Sequence, residues 1–429
     1  MLPSRGFPNA VVSNGELHAT IAAIWRIESP KLIARLSRML RDVGRAEDLA
    51  QDAFVSALAQ WPEGGIPRSP GAWLMTIAKR RAIDQIRRNE AFERKSAALA
   101  RESSIETEGD TASTYDEIDD DMLRLIFVAC HPVVSKEAHV ALTLKLVGGL
   151  TTPEIARAFL VSEPTIAQRI VRAKRTLSEA RVPFEVPAGA ERAARLSSIL
   201  ETIYLIFNEG YAATAGDDLL RPELVEDALR LGRMLAILMP HEAEVHGLAA
   251  LMELQASRMR ARVGPSGEPI LLLDQDRGKW NHLLIGRGLK ALARAERLGA
   301  LGPYGLQAAI AACHARAATP EQTEWERIAA LYDALAALSP SPVIELNRAV
   351  AVGMAFGAQA ALEIVDALLA EPALRAYHLL PSVRGDLLFK LGRRHEARAE
   401  FERAASLARN NRDRTFLLER ARATAGAKR

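Results

Sequence analysis

At 429 residues the chain is long enough for two to four domains, each with its own core. Apolar residues make up 49% of it, which excludes a disordered chain, and the net charge of +3 means that any nucleic-acid site has to be a local patch. Two distant cysteines, Cys130 and Cys313, make no metal or redox pattern, and no stretch approaches the roughly 20 apolar residues of a membrane span.

The expectation is a cytoplasmic chain with no membrane association and, from its Ala, Leu, Arg and Glu content and lack of strand-like alternation, an all-α fold. Residues 1–15 hold two prolines, two glycines and two asparagines and read as a loose arm without a signal peptide. His18–Ile27 reads as one helix, and Ser29 with Pro30 as the opening of another that runs to Arg41. After Gly44, residues 45–61 (RAEDLAQDAFVSALAQW) place Ala46, Ala50, Ala53, Ala57 and Trp61 on one line, widened by Leu49, Phe54 and Leu58. Glu47, Asp48, Gln51 and Asp52 fall on the polar side, where acidic residues also suit a helix N-terminus.

The loop PEGGIPRSPG (62–71) precedes a second helix, AWLMTIAKRRAIDQIRRNEAFERK, with Leu74, Ile77, Ala78, Ala82 and Ile86 inward. Seven basic residues against three acidic lie between Ala78 and Lys95. Trp73, at the loop–helix junction, reads as a core residue before it reads as a stacking platform. From Arg101 to Asp121 nine acidic residues meet one basic, the composition of a solvated linker.

Leu123, Ile126, Phe127 and Cys130 give the next helix, ended by a turn at His131-Pro132, and Glu137–Leu146 gives another, stopped by Gly148-Gly149. Thr151 and Glu154 then have capping-box spacing, and Ser162 is a second N-cap with Pro164 in the first turn. The first helix would bury Ile155, Ala156 and Phe159, the second Ile166, Ile170, Ala173 and Leu177. Thr165, Gln168, Arg169, Arg172 and Arg175 face outward. Two readings fit: a helix-turn-helix with a basic recognition helix, and a plain helical hairpin with a solvated basic face. The connecting turn lacks the glycine often found there.

RAEDLAQDAFVSAL followed by PGAWLMTIAKRRAIDQIRR resembles region two of the extracytoplasmic-function sigma factors of the sigma-70 family, and the helix-turn-helix resembles their region four. One departure is Arg80, where family members often carry asparagine. The resemblance implies region two at 16–95, an acidic flexible linker at 96–115 and region four at 116–182. It further implies that Glu47, Asp48, Gln51 and Asp52 dock on the β′ clamp helices of core RNA polymerase, with the β flap as a second contact. Arg68, Ser69, Trp73, Lys79, Arg80, Arg81, Arg87 and Arg88 would handle the −10 element, and Thr165, Gln168, Arg169, Arg172, Lys174 and Arg175 the −35 element of promoter DNA.

After a short hinge, PFEVPAG, helical periodicity resumes at 191–208, 222–239, 241–262 and 280–298, with a loop at 263–279 that suits a small hairpin. His241 and His246 in HEAEVH are five apart, not the four that a zinc-protease helix needs. Gly385, Leu388, Ala397, Phe401 and Ala404 fit tetratricopeptide spacing, and Ala349, Val352, Ala361, Val365 and Leu368 repeat it 36 residues earlier. The expectation is a helical extension at 183–300 and a tetratricopeptide-like region at 301–429, whose concave face would take a protein partner. No cofactor, metal site or catalytic constellation is expected. The competing reading is a helix-turn-helix transcription regulator with a repeat-type sensor domain.

Overall fold

The computed structural model describes residues 14–96, 115–212, 220–265 and 267–426. The loose arm and the acidic linker fall almost wholly outside these residues. Among them are eighteen α-helices and no β-strand, so the all-α expectation holds. The chain divides into two compact units, residues 1–157 with 161–202, and residues 158–160 with 203–429.

The first unit opens with α1 (Asn14–Leu40), α2 (Val43–Gly64) and α3 (Pro70–Ser96). The two helices expected before Arg41 are one, with Pro30 inside it. A proline there has no N–H for the carbonyl of Arg26. Gly149 packs closely on that carbonyl: a Cβ would stand 2.8 Å from the Arg26 oxygen at a φ of 70°. Only glycine fits both the backbone angle and the gap. Asp42 caps α2 by accepting from the Arg45 N–H at 2.9 Å. The alanine line of α2 is buried as its spacing dictates, with Ala46, Ala50, Ala53 and Ala57 at 0% exposure. Phe54 is half-buried and stacks on Trp25 with 4.5 Å between ring centroids.

Next come α4 (Tyr115–Ala129) and α5 (Lys136–Leu142), which passes into a π turn at Thr143–Val147. The single helix expected over 137–146 is therefore interrupted: the Gly148 N–H reaches back five residues to Thr143. Then α6 (Thr152–Ala158) and α7 (Glu163–Glu179) form the helix-turn-helix. The capping box is present, since Glu154 Oε2 accepts from the Thr151 N–H at 2.7 Å. Phe159 lies past the end of α6 and is only half-buried, which corrects its assignment to the core. The turn without glycine is closed by Leu160 in the left-handed region, φ 50°. Arg41 and Arg181 do the same after α1 and α7, with φ values of 51° and 49°.

The helix α8 (Gly189–Tyr211) crosses the division between the units. Its first half packs on α4: the buried Arg195 donates from Nη2 to the Phe127 carbonyl at 2.8 Å. The second unit continues with α9 (Pro222–Leu238), α10 (Ala243–Ala256), α11 (His282–Leu298) and α12 (Pro303–Arg316). The expected hairpin in 263–279 amounts to one antiparallel bridge, Val263 to Pro269. Helices α10 and α12 cross where Gly247 meets Gly305; a Cβ on Gly247 would stand 2.7 Å from the Gly305 nitrogen. Six helices complete the unit: α13 (Trp325–Leu338), α14 (Pro342–Ala355), α15 (Ala358–Ala367), α16 (Leu379–Lys390), α17 (Arg394–Leu407) and α18 (Asn411–Gly426). Both sequence repeats lie in these antiparallel pairs. Ala349, Ala361, Val365, Leu388, Ala397, Phe401 and Ala404 share one core, and Gly385 admits the Phe401 ring.

Leu160 is 57% exposed, so its side chain contributes little burial to offset the left-handed backbone. A Leu160→Gly chain is expected to be more stable by about 1 kcal/mol. A thermal melt reads this directly, and a lower Tm than the parent contradicts strain at the turn.

Candidate nucleic-acid interface

On α7 the spacing of Ile166, Ile170, Ala173 and Leu177 buries one face. Gln168 and Arg172 are exposed on the other, with Arg169 half-exposed. Together with Thr165 they line a groove of about 480 Å³ against Val133, Ser135 and Glu137 at the start of α5. Backbone hydrogen bonding, then the Ser135 hydroxyl, holds the Glu137 carboxyl below the usual range, so an anion sits at the groove's edge. Thr165 Oγ1 lies 2.7 Å from Ser162 Oγ, which ties the first exposed hydroxyl to the cap. Arg175 donates to Glu179 at 2.6 Å on the open surface, a pair that a phosphate can replace.

Lys174 does not share that face. Its ammonium lies 2.7 Å from Glu47 Oε2 and 3.6 Å from Asp48 Oδ1 on α2. The ammonium thus points into the seam between α7 and α2, beside the buried Ala173, and not to the side of Gln168 and Arg172. Glu47 faces it across the seam. The residue is 2% exposed and belongs to no open polar face. Its second oxygen, Oε1, accepts from Gln51 at 2.7 Å and lies 3.4 Å from Lys145. Asp48 and Asp52 remain exposed, with side-chain exposures of 75% and 63%, and Gln51 is exposed beside them.

On α3, Leu74, Ala78 and Ala82 are buried and Lys79, Arg80, Arg81 and Arg87 lie on the outer side. Arg81 bridges to α2, donating to Ser56 Oγ at 2.9 Å with Asp52 3.7 Å away. The side chain of Arg88 lies outside the described residues, as does that of Ile86. Arg68 and Ser69 are exposed in the short loop before α3, and the Ser69 carbonyl accepts from the Trp73 N–H. Trp73 is half-buried edge-on against the buried Trp61, 5.4 Å between centroids, so one part of its ring serves the core and the rest faces out.

Three further residues, beyond those expected from the sequence, hold this region together. Asp42 accepts from Ser178 Oγ of α7 at 2.9 Å. Lys145 projects from the π turn toward Glu47; as the lone cation in the apolar run ALTLKLV it was the one visible signal. Asp121, 1% exposed at its side chain, sits among Arg124 at 2.9 Å, Arg38 at 3.5 Å and Arg35 at 3.7 Å and holds α4 to α1. Burial pushes its carboxyl up, against the pull of the three guanidinium groups. In the second unit, His246 Nε2 lies 3.0 Å from the Pro240 carbonyl, a local turn contact.

Residues 24–92 match sigma-70 region 2 and residues 124–177 match sigma-70, region 4. Residues 195–296 match a family of unknown function (DUF6596). An uncharacterised protein of Rhizobium meliloti (strain 1021) is 43% identical over 393 residues, 90% of this chain and 92% of that protein. The probable ECF RNA polymerase sigma factor SigI of Mycobacterium tuberculosis is 28% identical over 211 residues, 46% of this chain and 69% of its own length. The ECF RNA polymerase sigma factor SigK of Mycobacterium sp. (strain KMS) is 28% identical over 156 residues, 35% and 76% of the two chains. No described helix is long and apolar enough to cross a membrane.

Proposed function

The chain belongs to one family with the uncharacterised Rhizobium meliloti protein, and from this and its two sigma-70 regions we propose that it is an alternative sigma factor that binds core RNA polymerase and directs promoter-specific initiation. The observation that carries the reading is the pairing of two separate helical modules in order. One bears an acidic face on α2 and a basic face on α3; the other bears an exposed Gln168, Arg169 and Arg172 on α7. A DNA-binding regulator accounts for the second module and gives no reason for the first.

The division of labour follows from chemistry. Asp48 and Asp52, exposed on α2, suit a basic partner surface such as the polymerase clamp. Lys79, Arg80 and Arg87 on α3 suit phosphates, while Trp73 beside the loop offers a ring face to an unstacked base. Gln168, Arg169 and Arg172 can present paired donors to base edges, each good pair being worth about 1–3 kcal/mol of discrimination. The extension, with its antiparallel helix pairs, is read as a regulatory body that takes a protein partner.

Reversing both exposed acids, Asp48→Arg with Asp52→Arg, is expected to abolish co-elution with core polymerase; unchanged co-elution contradicts the assignment of that face. Arg172→Ala is expected to lower promoter-directed transcription from purified core by about 10-fold or more, one lost base pair contact, while leaving polymerase binding intact. Equal loss of both activities would refute the separation.

A further inference from the structure

The face of α2 that the proposed function assigns to polymerase is partly covered by the chain's own region four. Glu47 is the centre of the cover. One oxygen meets Lys174 of α7 at 2.7 Å, the other meets Lys145 of the π turn at 3.4 Å, and only 2% of the residue reaches solvent. Lys174 also leans on Asp48, the neighbouring acid, at 3.6 Å. The seam continues to the N-terminus of α2, where Ser178 donates to the capping carboxylate of Asp42. Beyond it, Val182 and Phe184 of the segment leaving α7 line the same narrow seam as Arg41, Asp42, Val43 and Lys174. On the far side, Gly149 packs closely on the Arg26 carbonyl, and Asp121 ties α4 to two arginines of α1.

We infer that Lys174 and Lys145 form an internal clasp on Glu47, which keeps the free chain closed and withholds Glu47, the covered carboxylate of the polymerase-docking face of α2, together with the Lys174 edge of the recognition helix until α7 is displaced. The inference rests on the proposed reading of α2 as the docking face. A basic surface that docks there offers α2 the same chemistry that Lys174 offers now, so docking and clasping compete for one carboxylate. Opening is then a single event with two consequences: Glu47 turns to the polymerase, and Lys174 becomes free for a phosphate. The chain that leaves α7 at the seam leads into the extension, so whatever repositions residues 182–184 acts on the clasp directly.

A disulfide can hold the clasp shut. A Cβ built on Gly44 lies 3.9 Å from the Lys174 Cβ, inside the range that a disulfide spans. The native thiols, Cys130 and Cys313, are buried and do not compete. The full-length Gly44→Cys, Lys174→Cys chain, with Asp42→Cys, Ser178→Cys as a second pair, is titrated with core polymerase after oxidation and again after reduction. Oxidation is expected to weaken core binding about tenfold or more, and reductant to restore it to the level of the parent or tighter, since the reduced first pair lacks Lys174. If neither pair cross-links under oxidant, the contact is not held in solution and the clasp is overturned. If cross-linked chains bind core as well as reduced ones, the clasp exists without withholding anything and the inference fails. Failure of the parent chain itself to bind core in any state would instead remove the proposed function on which the clasp rests.

Discussion

A carboxylate set between two ammonium groups decides how the first unit is assembled. Glu47 lies on the helix that resemblance assigns to polymerase, and its partners lie on the module assigned to the −35 element. A buried charge needs its counter-charge, because stripping one partner from such a pair costs about 3–5 kcal/mol while the intact pair is close to neutral against desolvation. The seam therefore favours two arrangements, fully closed with Glu47 on lysine, or open with Glu47 on water or on another cation. An intermediate with Glu47 buried and unpaired is the expensive state. That is the energetic form of a switch rather than of a plain structural staple.

The rest of the unit is consistent with this seam. Asp121 gathers three arginines across α1 and α4, Gly149 lets the backbone of one module approach the other at Arg26, and the π turn aims Lys145 at Glu47. The contacts between the two modules join residues far apart in the chain; Lys174 and Glu47 are separated by 127 positions. The open surface that remains is divided by charge, with Asp48 and Asp52 on α2 and the basic outer side of α3 next to it, joined by Arg81. Partner selection on such a surface is a matter of complementary potential.

Much of the fold was legible because the signals were local. The alanine line of α2, the Thr151–Glu154 capping box and the apolar stripe of α7 each depend only on 3.6-residue periodicity and on caps, and each forms as the spacing dictates. The misses were of another kind. Pro30 reads as a helix start and lies mid-helix, with a glycine more than a hundred residues away packed on the Arg26 carbonyl one turn before it. The turns at Leu160 and Arg181 adopt a backbone angle that glycine usually takes, so composition could not mark them. Glu47 and Lys174 each read as surface groups in the sequence, since nothing in either neighbourhood reveals a partner more than a hundred residues away. Gln168, Arg169 and Arg172 were legible, and their exposure follows from the burial of the opposite stripe.

The distance between α2 and α7 in the free and polymerase-bound chain bears most directly on this account. Val55 and Val171 are exposed on the two helices, at 63% and 62%, and suit a pair of spin labels on a chain whose own cysteines are buried. The account expects one short, narrow distance in the free protein and a longer one in the complex with core polymerase and promoter. A distance that stays unchanged in a transcribing complex would contradict it.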